Sequence, residues 1–322
     1  MLKFNLLLQN TPHTTAPFES EIMSHRIQII SAPSILGLKP SGVQHLADSL
    51  LGLGLAEKTN ALPEIINVAP HNHLYIMVRN PETQILNAHS LYAFSQELIS
   101  RVGNVFDKKH FALVLGGDCS ILLGIMPALK SRGNYGLVFI DAHADFYLPE
   151  QSITGEAADM DLALVTGKGP DLLTDINSMK PYVPEENVIH IGQRDWEETQ
   201  HYGSEDIKKT AIKCHDLSKI RQYGIDTVLK NILEQIQEME ITGFWIHFDT
   251  DVIDDTLNPA VDYRLPGGLT FAEIEKIFSV LLDTGKADGM SVTIFNPNLD
   301  RDGSIGSDIT NCLASAFRGF SS

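Results

Sequence analysis

Six short apolar runs, separated by stretches with helical spacing, constrain the fold of this chain more than any other feature. They are Ile27–Ile30, Leu74–Val78, Ala112–Leu115, Leu137–Ile140, Val188–Ile191 and Gly243–Phe248. Several are apolar on both faces, as strands must be when helices cover a sheet from both sides. Helix-like segments lie between them, among them Ile121–Lys130 and Phe271–Thr284, the second preceded by Thr270 as a candidate N-cap. Strands and helices alternating at this interval predict an α/β fold with a parallel sheet. Residues 1–25 show no sustained period and read as an N-terminal extension; a single domain is expected over 26–322. The Gly- and Pro-bearing stretch Gly167–Pro184 reads as a long connection near the functional edge of the sheet.

Composition narrows the partners. The chain has 322 residues, 41 acidic and 24 basic, for a net charge of −17. No basic stripe is present, so a nucleic-acid partner is excluded, because phosphate binding relies on clustered Lys and Arg. The three cysteines, Cys119, Cys214 and Cys312, are far apart and form no paired framework, which fits a reducing cytoplasm. No stretch approaches the roughly 18 apolar residues of a membrane span. A soluble, cytoplasmic protein is expected.

Chemistry concentrates where two of the apolar runs end. Phe139-Ile140-Asp141-Ala142-His143-Ala144-Asp145 places Asp141, His143 and Asp145 two residues apart, on one side of extended backbone. Ligand-type side chains at a buried strand end are costly to desolvate unless paired, and a divalent cation pairs with them efficiently. The run Trp245-Ile246-His247-Phe248-Asp249-Thr250-Asp251 repeats the arrangement, with His247, Asp249 and Asp251 sharing a face. Asp141, His143, Asp145, Asp249 and Asp251 are enough ligands for two cations that share a bridging carboxylate. The strand Leu113–Leu115 runs into Gly116-Gly117-Asp118-Cys119, whose glycines permit a tight exit that presents Asp118 and Cys119 to the same pocket. A strand-turn-helix corner with a buried structural Cys explains that turn equally well.

These three segments, in this order and spacing, resemble the arginase/agmatinase/formiminoglutamase family of binuclear-manganese ureohydrolases. Supporting matches are Gly192-Gln193-Arg194-Asp195, Leu265-Pro266-Gly267-Gly268-Leu269-Thr270 and Asn296-Pro297. The resemblance implies a three-layer α/β/α sandwich with a mostly parallel central sheet and a metal pair at its carboxyl edge. Carried over by position, Asp141 and Asp249 bridge the cations, His143 and Asp251 complete one site, and Asp145 completes the other and accepts a hydrogen bond from a metal-bridging hydroxide. Two cations roughly 3.5 Å apart acidify a shared water, making a nucleophile near neutral pH. The implied activity is hydrolysis of a C–N bond in a linear amidine or guanidine, with a small guanidino or amidino substrate and two divalent ions, Mn2+ by resemblance. The family also implies a homo-oligomer, a trimer or hexamer.

The chain departs from that family in three places. Cys119 occupies the position of a terminal His ligand, as a thiolate ligand or as a bystander; a thiolate favours softer metals and leaves Zn2+ or Fe2+ open. Ala158 falls where the family carries a proton-shuttling His; Glu156, Asp159 or Asp161 could protonate a leaving amine in its place, or could cap a helix starting near Leu162. Thr293 and Ile294 stand where a guanidinium-binding Glu is expected, which disfavours free arginine in an arginase-like pose. Arg264 could clamp a substrate carboxylate, or be solvated or paired structurally. His247 could act as an acid/base or be a satisfied core residue, while His71 and His73 read as surface. The rival reading is a non-catalytic protein of the same fold that keeps part of the metal site for stability or binding.

Overall fold

The computed structural model describes residues 26–318 and residue 320. The expected extension 1–25 lies outside the described residues. Eight parallel strands form one sheet: β1 (Ile27–Ala32), β2 (Ile66–Asn67), β3 (Phe111–Gly116), β4 (Tyr135–Ile140), β5 (Val188–Ile191), β6 (Lys213–His215), β7 (Gly243–Asp249) and β8 (Ala287–Thr293). Their spatial order is β2-β1-β3-β8-β7-β4-β5-β6.

Strand alternation divides the interior into two cores. Val114, Phe139 and Trp245 point to one face, against the helices Ala88–Asp107, Leu122–Lys130 and Asp161–Val165. Leu113, Val138 and Ile246 point to the other, against Ile225–Glu238, Phe271–Leu282 and Ser304–Ala316. The result is the expected three-layer sandwich, with each core closed by an apolar helix stripe. Thr270 does cap its helix: its hydroxyl accepts from Glu273 N at 3.2 Å while the Glu273 carboxylate accepts from Thr270 N at 2.8 Å.

This order positions the site. The chain steps out from β1 to β2 and back inside to β3 on one side, then builds outward through β4, β5 and β6 on the other before β7 and β8 fill the middle, so the crevice between the two halves lies at the carboxyl ends of β3, β8, β7 and β4. All three motif segments leave the sheet there.

Two expectations fail. Leu74–Val78 is not a strand: a 3-10 turn ends at Leu74, and Ile76, Met77 and Val78 are exposed, so the run is apolar without being covered. Gly167–Pro184 does not border the functional edge; its short helix Asp171–Thr174 packs beside Ala88–Asp107, and none of its residues lines the cavity described below. Strands β6 and β8 escape a search for apolar runs, β6 because it is three residues long and β8 because it begins Ala287-Asp288-Gly289. Gly289 is small for a reason: a Cβ there would lie 2.0 Å from the Trp245 ring. Among the described residues no helix is long and apolar enough to cross a membrane.

Candidate metal centre

The turn after β3 is held against the loop after β1. A Cβ on Gly117 would fall 1.8 Å from the Ser34 carbonyl oxygen, so only glycine fits, and Asp118 N donates to that same oxygen at 3.1 Å. Asp118 itself turns away from the pocket. Its carboxylate accepts from Gly37 N at 3.2 Å and Ser120 N at 3.0 Å, which makes it a brace between two loops. Burial holds its carboxyl up at about 6. Of the pair Asp118 and Cys119, the turn therefore delivers only Cys119 to the site.

Cys119 Sγ donates to Asp249 Oδ2 at 2.8 Å and lies 3.1 Å from Thr293 Oγ1. From β4, Asp141 Oδ1 accepts from His143 N at 2.6 Å; from β7, Asp249 Oδ1 accepts from Asp251 N at 2.7 Å. Each strand end thus uses one carboxylate oxygen to tie its own turn. The Gly192–Asp195 segment supports both turns: Asp195 Oδ2 accepts from Ala144 N at 2.9 Å, and Arg194 donates to the Asp251 carbonyl at 2.7 Å.

Two of the resulting donor groups, each with ligand atoms within 4.8 Å of one another, bring together residues named in the sequence: Asp141, His143 and Asp251, and Cys119, Asp141 and Asp249. A third group, Cys119, Asp161 and His247, was not expected. Asp145 belongs to none of the three but lines the same cavity, with φ +44°. Asp161 is the residue that motif spacing missed as a donor. It is the first residue of its helix, fully buried, and neither of its carboxylate oxygens makes a well-formed hydrogen bond. A carboxylate directly before the apolar run Leu162–Val165 was the available signal.

Charge is distributed unevenly. Burial works against a charged His143, but the adjacent Asp251 and Asp141 carboxylates raise its pKa well above the usual value. Burial works against a charged Asp251 too, and His143 and Arg194 outweigh it and lower that pKa. Asp145, Asp161 and Asp249 have no such cation: burial first, then repulsion from neighbouring carboxylates, Asp141 among them in every case, raises all three well above the carboxylate range. The Cys119 thiol is pushed up by burial and by Asp249 in the same way. His247 is lowered to about 3 by burial, so its imidazole is neutral, the form that ligates metals. Asp141 Oδ2, both Asp161 oxygens and His247 Nε2 are buried without a hydrogen-bond partner. A cation satisfies such atoms and relieves the repulsion together, so the donor set fits a divalent metal pair.

The centre floors a cavity of about 330 Å³. Glu156, Asp159 and Asp262 add carboxylates to its wall. Tyr263 Oη donates to Glu156 at 2.7 Å, and Asp159 accepts from Ser152 and Thr154 at 2.8 and 2.9 Å. Arg264 also lines the cavity, but both arms of its guanidinium are taken by Asp255, at 2.6 and 2.9 Å. The departures from the family pattern meet here: Cys119, Ala158 and Ile294 belong to one small apolar cluster with Leu38. Thr293 faces Cys119, while Ile294 reaches the cavity with φ +71°, a conformation a β-branched residue adopts only under constraint.

The sequence profile of the arginase family matches residues 61–317. An arginase of Staphylococcus aureus (strain MSSA476) is 30% identical over 283 residues, covering 85% of this chain and 91% of that protein. Human arginase-1 is 27% identical over 286 residues, covering 86% of this chain and 87% of that protein. The crystal structure of arginase from Bacillus subtilis superposes with a TM-score of 0.79 at 26% identity, over 91% of this chain and 98% of that one. Fold and donor groups define an α/β protein of the ureohydrolase type with a candidate metal centre. The chain belongs to the arginase family.

Proposed function

We propose that the protein is a metal-dependent hydrolase of a C–N bond in a small cationic amidine or guanidine. The observation that carries this reading is the convergence of carboxylate, imidazole and thiol donors from β3, β4 and β7 on the floor of one acidic cavity. In this reading Asp141, His143, Asp249 and Asp251 would hold one divalent ion, and Cys119 and Asp145 would help hold a second, with Mn2+ as the family's metal. When bound, such a pair supplies a water acidified enough to attack near neutral pH.

The chain's own residues do the rest. Asp145, on the cavity wall, accepts the proton of the attacking water and so aims its lone pair at the amidine carbon. Attack forms the new C–O bond, the C–N bond then breaks, and the departing nitrogen takes up a proton. Asp159 donates that proton in place of the histidine missing at Ala158: it lines the cavity, and its Oδ1 has no hydrogen-bond partner. Glu156, held by Tyr263, and Asp262 favour a cationic substrate. Ile294 in place of a carboxylate, and an Arg264 already engaged by Asp255, disfavour free arginine in an arginase-like pose.

Protein loaded with Mn2+ is expected to release urea, ammonia or an amine from some member of a panel of guanidino and formimino compounds. Asp249→Ala should abolish both metal retention and turnover. Stoichiometric metal with full inactivity across the panel would select the non-catalytic reading instead, which the substitutions at Ala158 and Ile294 favour.

A further inference from the structure

Behind the cavity floor three donors converge that the family's pattern does not group. Asp161 is completely buried, and neither of its oxygens has a well-formed hydrogen bond; the groups acting on it at close range include the Asp145 carboxylate and the Leu162 amide. His247 is equally buried and stacks on Phe139 at 4.8 Å, with Nδ1 2.8 Å from Ser291 Oγ and Nε2 unpartnered. Ser291 Oγ also receives Trp245 Nε1–H at 2.9 Å and keeps a second lone pair that can accept Nδ1–H; a metal on Nε2 would select that tautomer. Cys119 Sγ completes the group, all three ligand atoms lying within 4.8 Å of one another.

Both Asp161 oxygens and His247 Nε2 are fully buried without a well-formed hydrogen bond, a costly arrangement beside a thiol whose own partners are Asp249 and Thr293. A first-row cation would satisfy them together. Tetrahedral coordination with bonds of 2.0–2.3 Å sets ligand atoms about 3.3–3.8 Å apart, inside the observed spread. His247 and Asp161 arrive from opposite sides of the interface, one from the sheet and one from the helix that covers it, so the position is walled by both layers. Cys119 and Asp145 line the cavity whereas Asp161 and His247 do not, so an ion enters past the first two.

We propose that Cys119, Asp161 and His247 form a cation position of their own, sharing the thiolate with the position bounded by Asp141 and Asp249. Its mixed sulfur, nitrogen and oxygen donors take a borderline divalent ion such as Zn2+, Fe2+ or Co2+ in preference to Mn2+. The inference rests on the metal-dependent part of the reading above. Binding replaces the Cys119 S–H bond by a sulfur–metal bond and releases one proton to solvent.

Titration of metal-stripped protein with Co2+ tests it without reference to turnover. Wild-type protein should develop thiolate-to-cobalt charge-transfer absorption. Asp161→Asn and, separately, His247→Phe should weaken the equivalent that carries this absorption by at least about tenfold, whereas Asp251→Asn should weaken a different equivalent and leave the absorption in place. Wild-type affinity for that equivalent in both variants overturns the proposal, as does Co2+ bound by wild type with no such absorption, which leaves a buried water as the occupant. Failure of wild type to bind Co2+ at all would overturn the functional reading along with it. Thermal melting separates a ligand from a structural residue. In chelator, Asp161→Asn should melt no lower than wild type, because it replaces a buried acid whose oxygens lack partners by a neutral amide of the same size; in Zn2+ it should gain less than wild type. An equal drop under both conditions assigns Asp161 a structural role and overturns the proposal.

Discussion

On the β4 side of the centre, His143 Nδ1 stands 2.8 Å from Asp251 Oδ2, and the chain supplies the positive charge that its own carboxylates need. On the β3 side, Asp145, Asp161 and Asp249 face one another with only a thiol and a neutral imidazole nearby, and four buried donor atoms across the centre have no partner. The two sides differ in what binding a cation requires. On the first, an ion pair must be broken and His143 must lose a proton; on the second, the Cys119 thiol must give up its proton and its bond to Asp249, but no ion pair is broken and repulsion among carboxylates is relieved. The contrast predicts that a cation would stabilise the β3 side more, and on the β4 side would compete with the protein's own ion pair.

The largest test of this contrast removes what the sides share. Asp141 stands in two of the donor groups, so Asp141→Asn should reduce bound metal below one equivalent per chain by elemental analysis. Turnover should fall by at least about 10³-fold, since a metal-derived nucleophile accounts for several kcal/mol of the barrier. Loss of a single equivalent with turnover preserved would mean that the sides are independent.

A smaller effect should come from Cys119→Ser, which touches the β3 side alone. Replacing a soft donor by a hard one should move the Zn2+/Mn2+ affinity ratio of that side toward Mn2+ by about tenfold, while the cation held by His143 and Asp251 is unaffected. Competition between the two metals, read by mass spectrometry of the bound ions, measures it. An unchanged ratio would make Cys119 a bystander beside the centre.

How far these sides were legible before the structure follows from sequence separation. Asp141, His143, Asp249 and Asp251 announce themselves because two-residue alternation at a strand end puts them on one face, a local rule that needs no knowledge of neighbours. His247 was visible by the same rule, and the helix start at Thr270 by another local one, a capping residue directly before a helical run. The role of Asp161 was not. Its closeness to Cys119 depends on the loop after β4 folding back so that the helix Asp161–Val165 covers β7, and no periodicity encodes that return. Asp118 misled for the converse reason: Gly-Gly-Asp-Cys reads as a turn presenting two ligands, while docking against Gly37 and Ser34 diverts the first of them. Leu74–Val78 shows the limit of apolar content as a signal, because only neighbours in space decide whether such a run is covered.

A carboxylate far from the centre calibrates the comparison with the smallest expected effect. Asp216 precedes the helix Leu217–Tyr223; it accepts from Lys219 N at 2.8 Å and Ser218 Oγ at 2.6 Å, and pairs with Lys208 Nζ at 2.5 Å. Burial alone would raise its pKa, but these partners outweigh burial and lower it to about 2. A depressed folded-state pKa contributes stability that is fully present above the unfolded value near 4 and is lost as pH falls through about 2. Asn keeps the helix cap and removes the charge, so Asp216→Asn should cost about 1 kcal/mol near neutral pH, discounted because Lys208 is partly exposed. Urea unfolding should show the gap between variant and wild type closing as pH falls below about 4. The sign matters more than the size. Here removing a buried carboxylate destabilises, because the chain provides the cation; at Asp161, without added metal, the corresponding Asn change is expected not to. Should the two variants shift stability in the same direction in chelator, the unmet charge ascribed to the β3 side is already compensated by the protein.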